Sequence, residues 1–264
     1  MNYTGKIALV TGASSGIGKA YAKELAANGS DVILAARSIE KLNTLAAELS
    51  SRYHVKAYPL SIDLSKPEAA AELMQSVEKL GLTVDILINN AGFGTHGRFE
   101  EISHAREYDM MQVNMSSLVA LTRMVLPAMR KRKSGIIVNV ASVASFQPIP
   151  YMATYAASKA FVLSFTESIW AENKDAGIQV LALCPGTTKT SFFDEIGTSE
   201  MPGGINGTPE SVVRTGFKGL AKGRTYIVDG LNNYWLVQTA RFLTRRFTAV
   251  ITERINRPSH VQQN

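Results

Sequence analysis

Cysteine, long hydrophobic runs and a secretion signal are scarce or absent in this sequence of 264 residues. One cysteine, Cys184, excludes an intrachain disulfide. No apolar stretch approaches the roughly 18–20 residues of a membrane-spanning helix, and the N-terminal MNYTGKIALVTG lacks the apolar core of a signal peptide. The four histidines (His54, His96, His104, His260) do not have metal-ligand spacing. These absences indicate a soluble, cytoplasmic protein without a metal site.

Most of the chain also lacks a large net charge. Residues 214–264 contain nine Lys or Arg and two acidic residues, a net charge of +7, whereas the other 213 residues carry −1. The basic balance is therefore a property of the C-terminal tail. Such a distribution argues against a nucleic-acid-binding surface on the whole domain.

Apolar runs alternate with helical patterns along the chain. The predicted strands are residues 6–11, 31–36, 55–60, 85–89, 135–141 and 177–184, and the predicted helices are 16–28, 39–51, 66–80, 104–131 and 152–174. Strands that are apolar on both faces, separated by helices, indicate an α/β fold with a doubly wound parallel sheet of Rossmann type. We predict one domain, in which residues 1–228 bind the nucleotide and carry the catalytic site. Residues 186–209 would form a substrate loop, and residues 229–264 a basic, amphipathic helical extension.

The turn between the first strand and the first helix is rich in glycine. In TGASSGIG (11–18), glycines allow the backbone to approach a pyrophosphate, and the helix N-terminus would face it. The spacing is G-x3-G-x-G rather than G-x-G-x-x-G, and Ala13 and Ala20 exclude a P-loop. By itself, the turn is either a phosphate cradle or a tight connection without a ligand.

The second strand ends at Ala36 and Arg37, where NAD-binding domains usually carry an acid for the ribose 2′-hydroxyl. A cation at this place can pair with a 2′-phosphate, so the sequence favours NADP over NAD. The alternative is a surface arginine at the start of a helix.

Tyr155 and Lys159 lie four residues apart on a predicted helix and therefore share one face. An ammonium group beside a phenol favours the phenolate, so we expect the Tyr155 pKa to lie below its usual value near 10. Such a phenol can exchange a proton with a carbonyl or alcohol oxygen. Ser142 follows a predicted strand, at the sheet edge where ligands of open α/β folds bind.

Together these motifs resemble the short-chain dehydrogenase/reductase family, in its compact single-domain branch. The matching segments are TGASSGIG (11–18), Asp63, NNAG (89–92), Asn114, Ser142, Tyr155-x-x-x-Lys159 and PGTTKT (185–190). They occur in the family's order and span residues 5 to about 228. Within the family, the sequence looks most similar to bacterial ketoacyl or steroid reductase-like members. The resemblance implies a nicotinamide-dependent oxidoreductase that forms a homodimer or homotetramer.

The resemblance also implies roles for the matching residues. Tyr155 would be the general acid/base, Lys159 would hold the nicotinamide ribose and lower the Tyr155 pKa, and Ser142 would bind the substrate oxygen. Asn114 would hold a water that links Lys159 to solvent, and Arg37 would bind the 2′-phosphate of NADP(H). The other cofactor contacts would be Gly12, Ser14, Ser15, Gly16, Ile17 and Gly18 at the phosphates and ribose, Asp63 and Leu64 at the adenine, Asn90, Ala91 and Gly92 beside the adenosine, and Pro185, Gly186, Thr188 and Thr190 from the carboxamide to the pyrophosphate.

The candidate substrate-facing residues are apolar. They are Val143, Phe146, Pro148, Ile149, Pro150 and Met152 after Ser142, and Phe192, Phe193, Ile196, Met201 and Ile205 in the loop. They favour an apolar carbonyl or alcohol substrate, although the same side chains could instead pack the loop onto the domain. The predicted function is hydride transfer between NADP(H) and such a substrate. The alternative is a non-catalytic NADP-binding redox sensor or scaffold.

An apolar stripe with helical spacing runs through the tail. It consists of Leu236, Ala240, Leu243, Phe247, Val250 and Ile255, with Arg241, Arg245 and Arg246 off the stripe. A basic amphipathic helix can lie on an anionic membrane, cover its own domain or pack on a second subunit. Because apolar stripes most often face protein, we predict packing rather than peripheral membrane contact.

Overall fold

The computed structural model describes residues 2–190, 192, 196 and 207–258. Its strands are β1 (Ile7–Thr11), β2 (Asp31–Ala36), β3 (Ala57–Ser61), β4 (Ile86–Asn89), β5 (Gly135–Val140), β6 (Ile178–Cys184) and β7 (Tyr226–Val228). They form one parallel sheet in the order β3-β2-β1-β4-β5-β6-β7, which confirms the predicted fold class. The sequence pattern does not predict β7, because three residues are too few to show a period.

Helices connect the strands and cover both faces of the sheet. They are α1 (Gly16–Ala27), α2 (Ile39–Tyr53), α3 (Ala69–Lys79), α4 (His104–Met111), α5 (Leu118–Arg132), α6 (Ala153–Asn173), α7 (Pro209–Ala221), α8 (Leu231–Ala240) and α9 (Arg245–Asn256). Most predicted boundaries agree with these to within three residues. The predicted single helix 104–131 is wrong in its middle, where residues Gln112–Ser117 form a π-helix between α4 and α5.

Alternate residues of each strand supply the two halves of the core. Val10 of β1 and Leu34 of β2 are neighbours on one face, where they pack with α1, α2 and α7. Leu9 and Ile33 are neighbours on the opposite face, where they pack with α3 and α5. The strands between the edge strands β3 and β7 are thus largely buried on both sides, which explains why their sequences are almost continuously apolar.

The chain reverses its direction across the sheet between β1 and β4. β1 pairs with β2 on one side and with β4 on the other. At such a switch point, the connections that follow the two strands diverge and leave a crevice at the carboxyl edge of the sheet. This crevice is where the segments after β1, β4, β5 and β6 meet.

The C-terminal helices pack beside the segment that follows β5. Val237 of α8 is buried with residues of α6 and β7. In α9, the Thr252 hydroxyl donates a hydrogen bond to the Pro148 carbonyl (2.9 Å), and the Tyr151 hydroxyl donates one to Glu253 Oε1 (2.9 Å). These contacts confirm a helical extension attached to its own domain. The division of the chain at residue 229 stays a prediction. In the described part of the chain, no helix is both long and apolar enough to span a membrane.

Candidate active site

A cavity of about 1120 Å³ runs along the carboxyl edge of the sheet. Almost all the residues that the sequence analysis assigns to catalysis or cofactor binding line it; Gly18 and Asn114 do not. Four of the candidate substrate residues also line it, namely Val143, Ile149, Met152 and Phe192. Ile196 lines a smaller neighbouring cavity, whereas Phe193, Met201 and Ile205 lie outside the described residues.

Neighbouring residues pack directly against the glycine-rich turn at one end of the cavity. Gly12 has a φ of +65°, and a Cβ there would lie 2.7 Å from Asn90 Nδ2. A Cβ on Gly18 would lie 2.3 Å from the Gly12 carbonyl oxygen. Gly18 therefore serves close packing of α1 against the turn rather than lining the cavity. The first turn of α1 is left open to the cavity, as an anion site requires.

Asn90 and Thr11 hold this turn in place. The Asn90 amide donates hydrogen bonds to the carbonyl oxygens of Thr11 (2.9 Å) and Gly12 (3.3 Å). The Thr11 hydroxyl accepts hydrogen bonds from the backbone N–H groups of Asn90 and Ala91, both at 3.0 Å. The sequence analysis missed Thr11, although its place at the start of the glycine-rich motif is a usable signal. The ends of β1 and β4 are thereby fixed relative to each other.

Cations gather at the end of the cavity beyond β2. Arg37, Lys41 and Lys66 line it there together with Asp63. Partial burial raises the pKa of Asp63, but hydrogen bonds from Ser65 and the charges of Lys66 and Arg37 outweigh burial, so the pKa lies below its usual value. Asp63 is therefore ionised, and the surrounding charge is positive on balance.

Ser142 begins the short turn that follows β5, with its side chain fixed by that turn. Its Oγ accepts a hydrogen bond from the Ala144 N–H (3.1 Å), and its own N–H donates to Ser145 Oγ (3.3 Å). Because Ser142 Oγ accepts from the backbone, its hydroxyl proton remains to be donated to another oxygen. Ser142 also acts on the neighbouring Tyr155, since it lowers the pKa of that phenol.

Lys159 lies under Tyr155 and is 6% exposed. Its Nζ donates a hydrogen bond to the Val140 carbonyl (2.8 Å) and lies 5.9 Å from the centre of the Tyr155 ring. Ser145 Oγ donates to the Lys159 carbonyl (2.7 Å), which ties α6 to the turn at Ser142. The sequence analysis missed Ser145, because a serine three residues after a cap is a weak signal.

The expected direction of the Tyr155 pKa shift is wrong for this structure. Burial raises the pKa of Tyr155 to about 12, and the neighbouring Ser142 side chain only partly offsets that effect. Burial also lowers the pKa of Lys159 to about 8. Both shifts have one cause, since removal of water disfavours the charged form of each group.

Asn114 lies in the π-helix and supports the site from behind. Its amide donates hydrogen bonds to the Phe93 carbonyl (3.0 Å) and Ser158 Oγ (3.0 Å), and its Oδ1 accepts one from the Phe93 N–H (3.2 Å). A Cβ on Gly92 would lie 2.9 Å from Asn114 Oδ1. These bonds fix the segment after β4 against α6, while the role of Asn114 in holding a water stays a prediction.

The segment after β6 covers the glycine-rich turn and contacts the tail. A Cβ on Gly16 would lie 2.9 Å from Thr190 Cγ2, so this loop closes directly over the turn. A Cβ on Gly186 would lie 2.2 Å from Asn233 Nδ2 of α8. Thr188 is buried and donates its hydroxyl proton to the Gly186 carbonyl (2.9 Å).

The far end of the cavity is lined mainly by apolar side chains, with threonines and asparagines among them, and is built partly from the tail. The tail residues that line it are Asn233, Leu236, Thr239, Ala240, Leu243, Thr248, Ile251, Thr252, Ile255 and Asn256. The sequence analysis missed this role, although the helical stripe included four of these residues. In contrast, Phe146 does not line the cavity, because its ring packs against Tyr226 with the ring centres 5.6 Å apart. Pro148 and Pro150 are also absent from the lining.

Known proteins share both this sequence pattern and this fold. A family model described as short chain dehydrogenase matches residues 6–201. The chain is 36% identical over 215 residues to a very-long-chain 3-oxoacyl-CoA reductase of Anas platyrhynchos, a match that covers 80% of this chain and 67% of that protein. For two other curated relatives, the matched part spans only 61% and 57% of their length.

Solved structures match over most of both chains. A short-chain dehydrogenase from Sphingobium yanoikuyae in complex with NADPH has 30% identity and a TM-score of 0.82, covering 90% of this chain and 94% of that one. A protein from Burkholderia phymatum in complex with NAD has 27% identity and a TM-score of 0.79, covering 90% and 92%. Both nicotinamide cofactors therefore occur among similar structures.

Proposed function

Because the chain belongs to the short-chain dehydrogenase family, we propose that it is an NADP(H)-dependent oxidoreductase that reduces the carbonyl group of an apolar compound. One observation carries this proposal. A single cavity joins a basic end at Arg37, the Ser142–Tyr155–Lys159 group and an apolar end. A dinucleotide and an apolar substrate would meet at the Tyr155 hydroxyl.

The residues present fit a dinucleotide that carries a 2′-phosphate. Gly12 and Gly16 line the cavity and carry no side chain that would stand between a ligand and the turn, so phosphates can approach the N–H groups of α1. Arg37, Lys41 and Lys66 surround the place where a ribose at the end of β2 would lie. Ala36, at the end of β2, supplies no carboxylate to repel the phosphate.

The chain's own groups handle the proton and the oxygen of the substrate. The nicotinamide, when bound, supplies or accepts the hydride. Ser142 donates a hydrogen bond to the substrate oxygen as negative charge develops there and keeps its own proton. Tyr155 transfers its proton to that oxygen during reduction. The Lys159 ammonium, held by the Val140 carbonyl, supplies positive charge beneath the phenol.

The protonation state of Tyr155 suits the role of a general acid. Burial raises its pKa to about 12, so the phenol keeps its proton at neutral pH. The same phenol would accept the proton in the reverse reaction, the oxidation of an alcohol. The proposed direction in the cell, carbonyl reduction, therefore rests on NADPH as the hydride donor.

Calorimetry with NADPH and NADH tests the cofactor assignment. Arg37→Ala should weaken NADPH binding by about 10- to 100-fold, because a charged hydrogen bond to a phosphate contributes roughly 1.5–3 kcal/mol. NADH binding should not change. Arg123→Ala, which removes an exposed arginine from α5, is the matched control. Equal losses for both cofactors, or wild-type affinity in the variant, would refute a 2′-phosphate site at Arg37.

Assays of NADPH oxidation with a panel of apolar ketones test the catalytic role of Tyr155. Tyr155→Phe should lower kcat by about 10²–10⁴-fold, the usual contribution of a general acid, and leave NADPH affinity intact. Tyr108→Phe, which alters an exposed tyrosine, serves as the control. Wild-type turnover by Tyr155→Phe would eliminate the proposed mechanism. Tight NADPH binding by a wild type that reduces no ketone would favour a nucleotide sensor instead.

A further inference from the structure

The tail exposes most of the large apolar side chains found on the surface of this protein. Ten of the fifteen exposed large hydrophobic residues in the described part of the chain lie between residues 231 and 255. We call this surface the C-terminal face; it consists of Leu231, Tyr234, Trp235, Leu236, Phe242, Leu243, Phe247, Val250, Ile251 and Ile255. Phe242 is 88% exposed and Trp235 is 64% exposed. Apolar patches rimmed by polar residues mark sites of interaction with a protein or a membrane.

Helix α9 buries its polar side and exposes its apolar side, which is the reverse of an ordinary surface helix. Its buried residues are Thr248 and Thr252, and the Thr252 hydroxyl reaches the Pro148 carbonyl. Its apolar residues Phe247, Ile251 and Ile255, spaced four apart, are exposed. A helix in a soluble domain normally buries the apolar stripe and exposes the polar one. The stripe therefore faces outward and does not pack on its own domain, which leaves a second subunit or a membrane as its partner.

Positive charge flanks the C-terminal face. Arg241, Arg245, Arg246 and Arg254 are exposed on the same two helices and their connection. Glu253 is the one acidic residue in the sequence from 231 to 257, and it accepts hydrogen bonds from Tyr151 and Arg257. The face therefore combines exposed aromatic and aliphatic groups with an excess of positive charge.

We propose that the C-terminal face docks onto an anionic lipid surface. A helix with Trp, Phe and Leu on one side and arginines beside them lies in the interface of a membrane, with its cations near the anionic headgroups. A second copy of the chain fits less well, because a self-complementary interface would bring two strongly basic patches together. The charge of the face thus selects lipid over a second subunit as its occupant.

The docking face and the substrate cavity share a wall. Leu236, Leu243, Ile251 and Ile255 line the cavity and are also exposed on the face. The mouth of the cavity would therefore open toward the acyl chains, where an apolar ketone is concentrated. This second step depends on the proposed function, whereas lipid docking itself does not.

Sedimentation with vesicles tests docking without any assay of activity. The intact protein should bind vesicles of phosphatidylcholine and phosphatidylglycerol more tightly than vesicles of phosphatidylcholine alone. The double variant Phe242→Ser/Phe247→Ser should weaken binding at least about tenfold, because each buried aromatic side chain contributes roughly 1.5–3 kcal/mol. Phe99→Ser removes a phenylalanine from another surface, with an exposure between those of Phe242 and Phe247, and should bind like the wild type.

Charge reversal tests the anionic part of the proposal. Arg245→Glu/Arg246→Glu should abolish the preference for phosphatidylglycerol. Lys218→Glu/Lys222→Glu, at the C-terminal end of α7, should retain it. Absence of vesicle binding by the wild type would overturn the proposal. Equal binding to both vesicle types, unaffected by charge reversal, would overturn its anionic part.

Fluorescence identifies what covers Trp235. The chain has two tryptophans, and Trp170 packs against the core, so Trp170→Phe leaves Trp235 as the only indole. Its emission should shift to the blue when anionic vesicles are added, and brominated lipid should quench it. A blue shift that depends on protein concentration but not on the addition of vesicles would show that a second copy of the chain covers the C-terminal face. That result would overturn the proposal.

Substrate entry is tested separately. With a ketone dissolved in anionic vesicles, Phe242→Ser/Phe247→Ser should reduce the rate at least about tenfold, in proportion to its lost binding. With a small water-soluble ketone, the rate should equal that of the wild type, because neither residue lines the cavity. Equal rates with the vesicle-borne ketone would refute entry from the lipid while leaving docking intact. Lack of activity in both assays, with binding retained, would count against the proposed function alone.

Discussion

Burial at Tyr155 and Lys159 stabilises the neutral form of both residues. Tyr155 is held as a phenol by burial that raises its pKa to about 12, and burial lowers the pKa of Lys159 to about 8. Residue types and spacing identified this pair, but not the direction of the tyrosine shift. The charge of the neighbouring lysine predicts a lower pKa for Tyr155. Burial, which raises this pKa, depends on the folded chain and cannot be read from the spacing of the two residues.

The buried ammonium of Lys159 should make stability depend on pH. Below about pH 8 the lysine is charged in both the folded and the unfolded chain, and the full cost of burial is present. Between about pH 8 and 10.5 only the unfolded chain holds this proton, so the unfolding free energy rises with pH. The total contribution is about 3 kcal/mol, from 1.36 kcal/mol per pKa unit.

Denaturant unfolding from pH 7 to 10 checks this prediction. The difference in unfolding free energy between Lys159→Met and wild type should favour the variant most at pH 7 and shrink as pH rises. Lys131→Met, an exposed lysine on α5, controls for loss of a lysine without burial. A difference that stays constant with pH would show that Lys159 carries no such burial cost.

At the scale of elements, glycines and polar caps decide how closely the loops approach one another. Gly12, Asn90 and Thr11 fix the turn after β1 against the end of β4. The glycine-rich motif could be recognised from the sequence, because its residues recur at fixed positions between a strand and a helix. The π-helix at Asn114 could not, because its residues continue a helical pattern and only contacts to Phe93 and Ser158 distinguish them.

Gly12→Ala should lower the stability of the protein through both backbone strain and steric contact, whereas Gly81→Ala should introduce the strain alone. Both glycines have a positive φ, +65° and +68°, but a Cβ on Gly81 would meet nothing within 4 Å. Gly81→Ala should therefore cost only the backbone strain, about 1–2 kcal/mol. Gly12→Ala should cost a further 1–3 kcal/mol, roughly, from contact with Asn90 and Ala91.

Thermal unfolding and NADPH titration of the two glycine variants make the comparison. Only Gly12→Ala should also weaken NADPH binding, because it changes the turn proposed to hold the phosphates. If both variants lose the same stability and both bind NADPH normally, the close packing at Gly12 has no role in the site.

At the scale of the whole molecule, the tail completes the end of the cavity where we propose that the substrate binds. Sequence reasoning treated residues 229–264 as an appendage, and the structure uses α8 and α9 as a cavity wall. The helices themselves could be predicted from their apolar spacing. Their place could not, because it depends on contacts such as those of Thr252 with Pro148 and of Glu253 with Tyr151, which lie about 100 residues apart in the chain.

Ile251→Ser should raise the KM for a bulky apolar ketone about tenfold in vesicle-free buffer, because it removes an apolar contact from the cavity wall. The KM for NADPH should remain unchanged. Val250→Ser is the matched control, since the neighbouring valine is similarly exposed but does not line the cavity. If Ile251→Ser and Val250→Ser have the same KM for the ketone, α9 is not part of the substrate site.

The sequence by itself determined the parallel α/β fold, the family and the identity of the residues that line the cavity near the sheet. Those properties depend on local patterns: continuous apolar strands, glycines at a turn, and Tyr155 one helical turn from Lys159. Only the tertiary structure decided the sign of the Tyr155 pKa shift and the outward orientation of the tail stripe. Both depend on which surfaces exclude water, and that is settled by packing between segments distant in the chain.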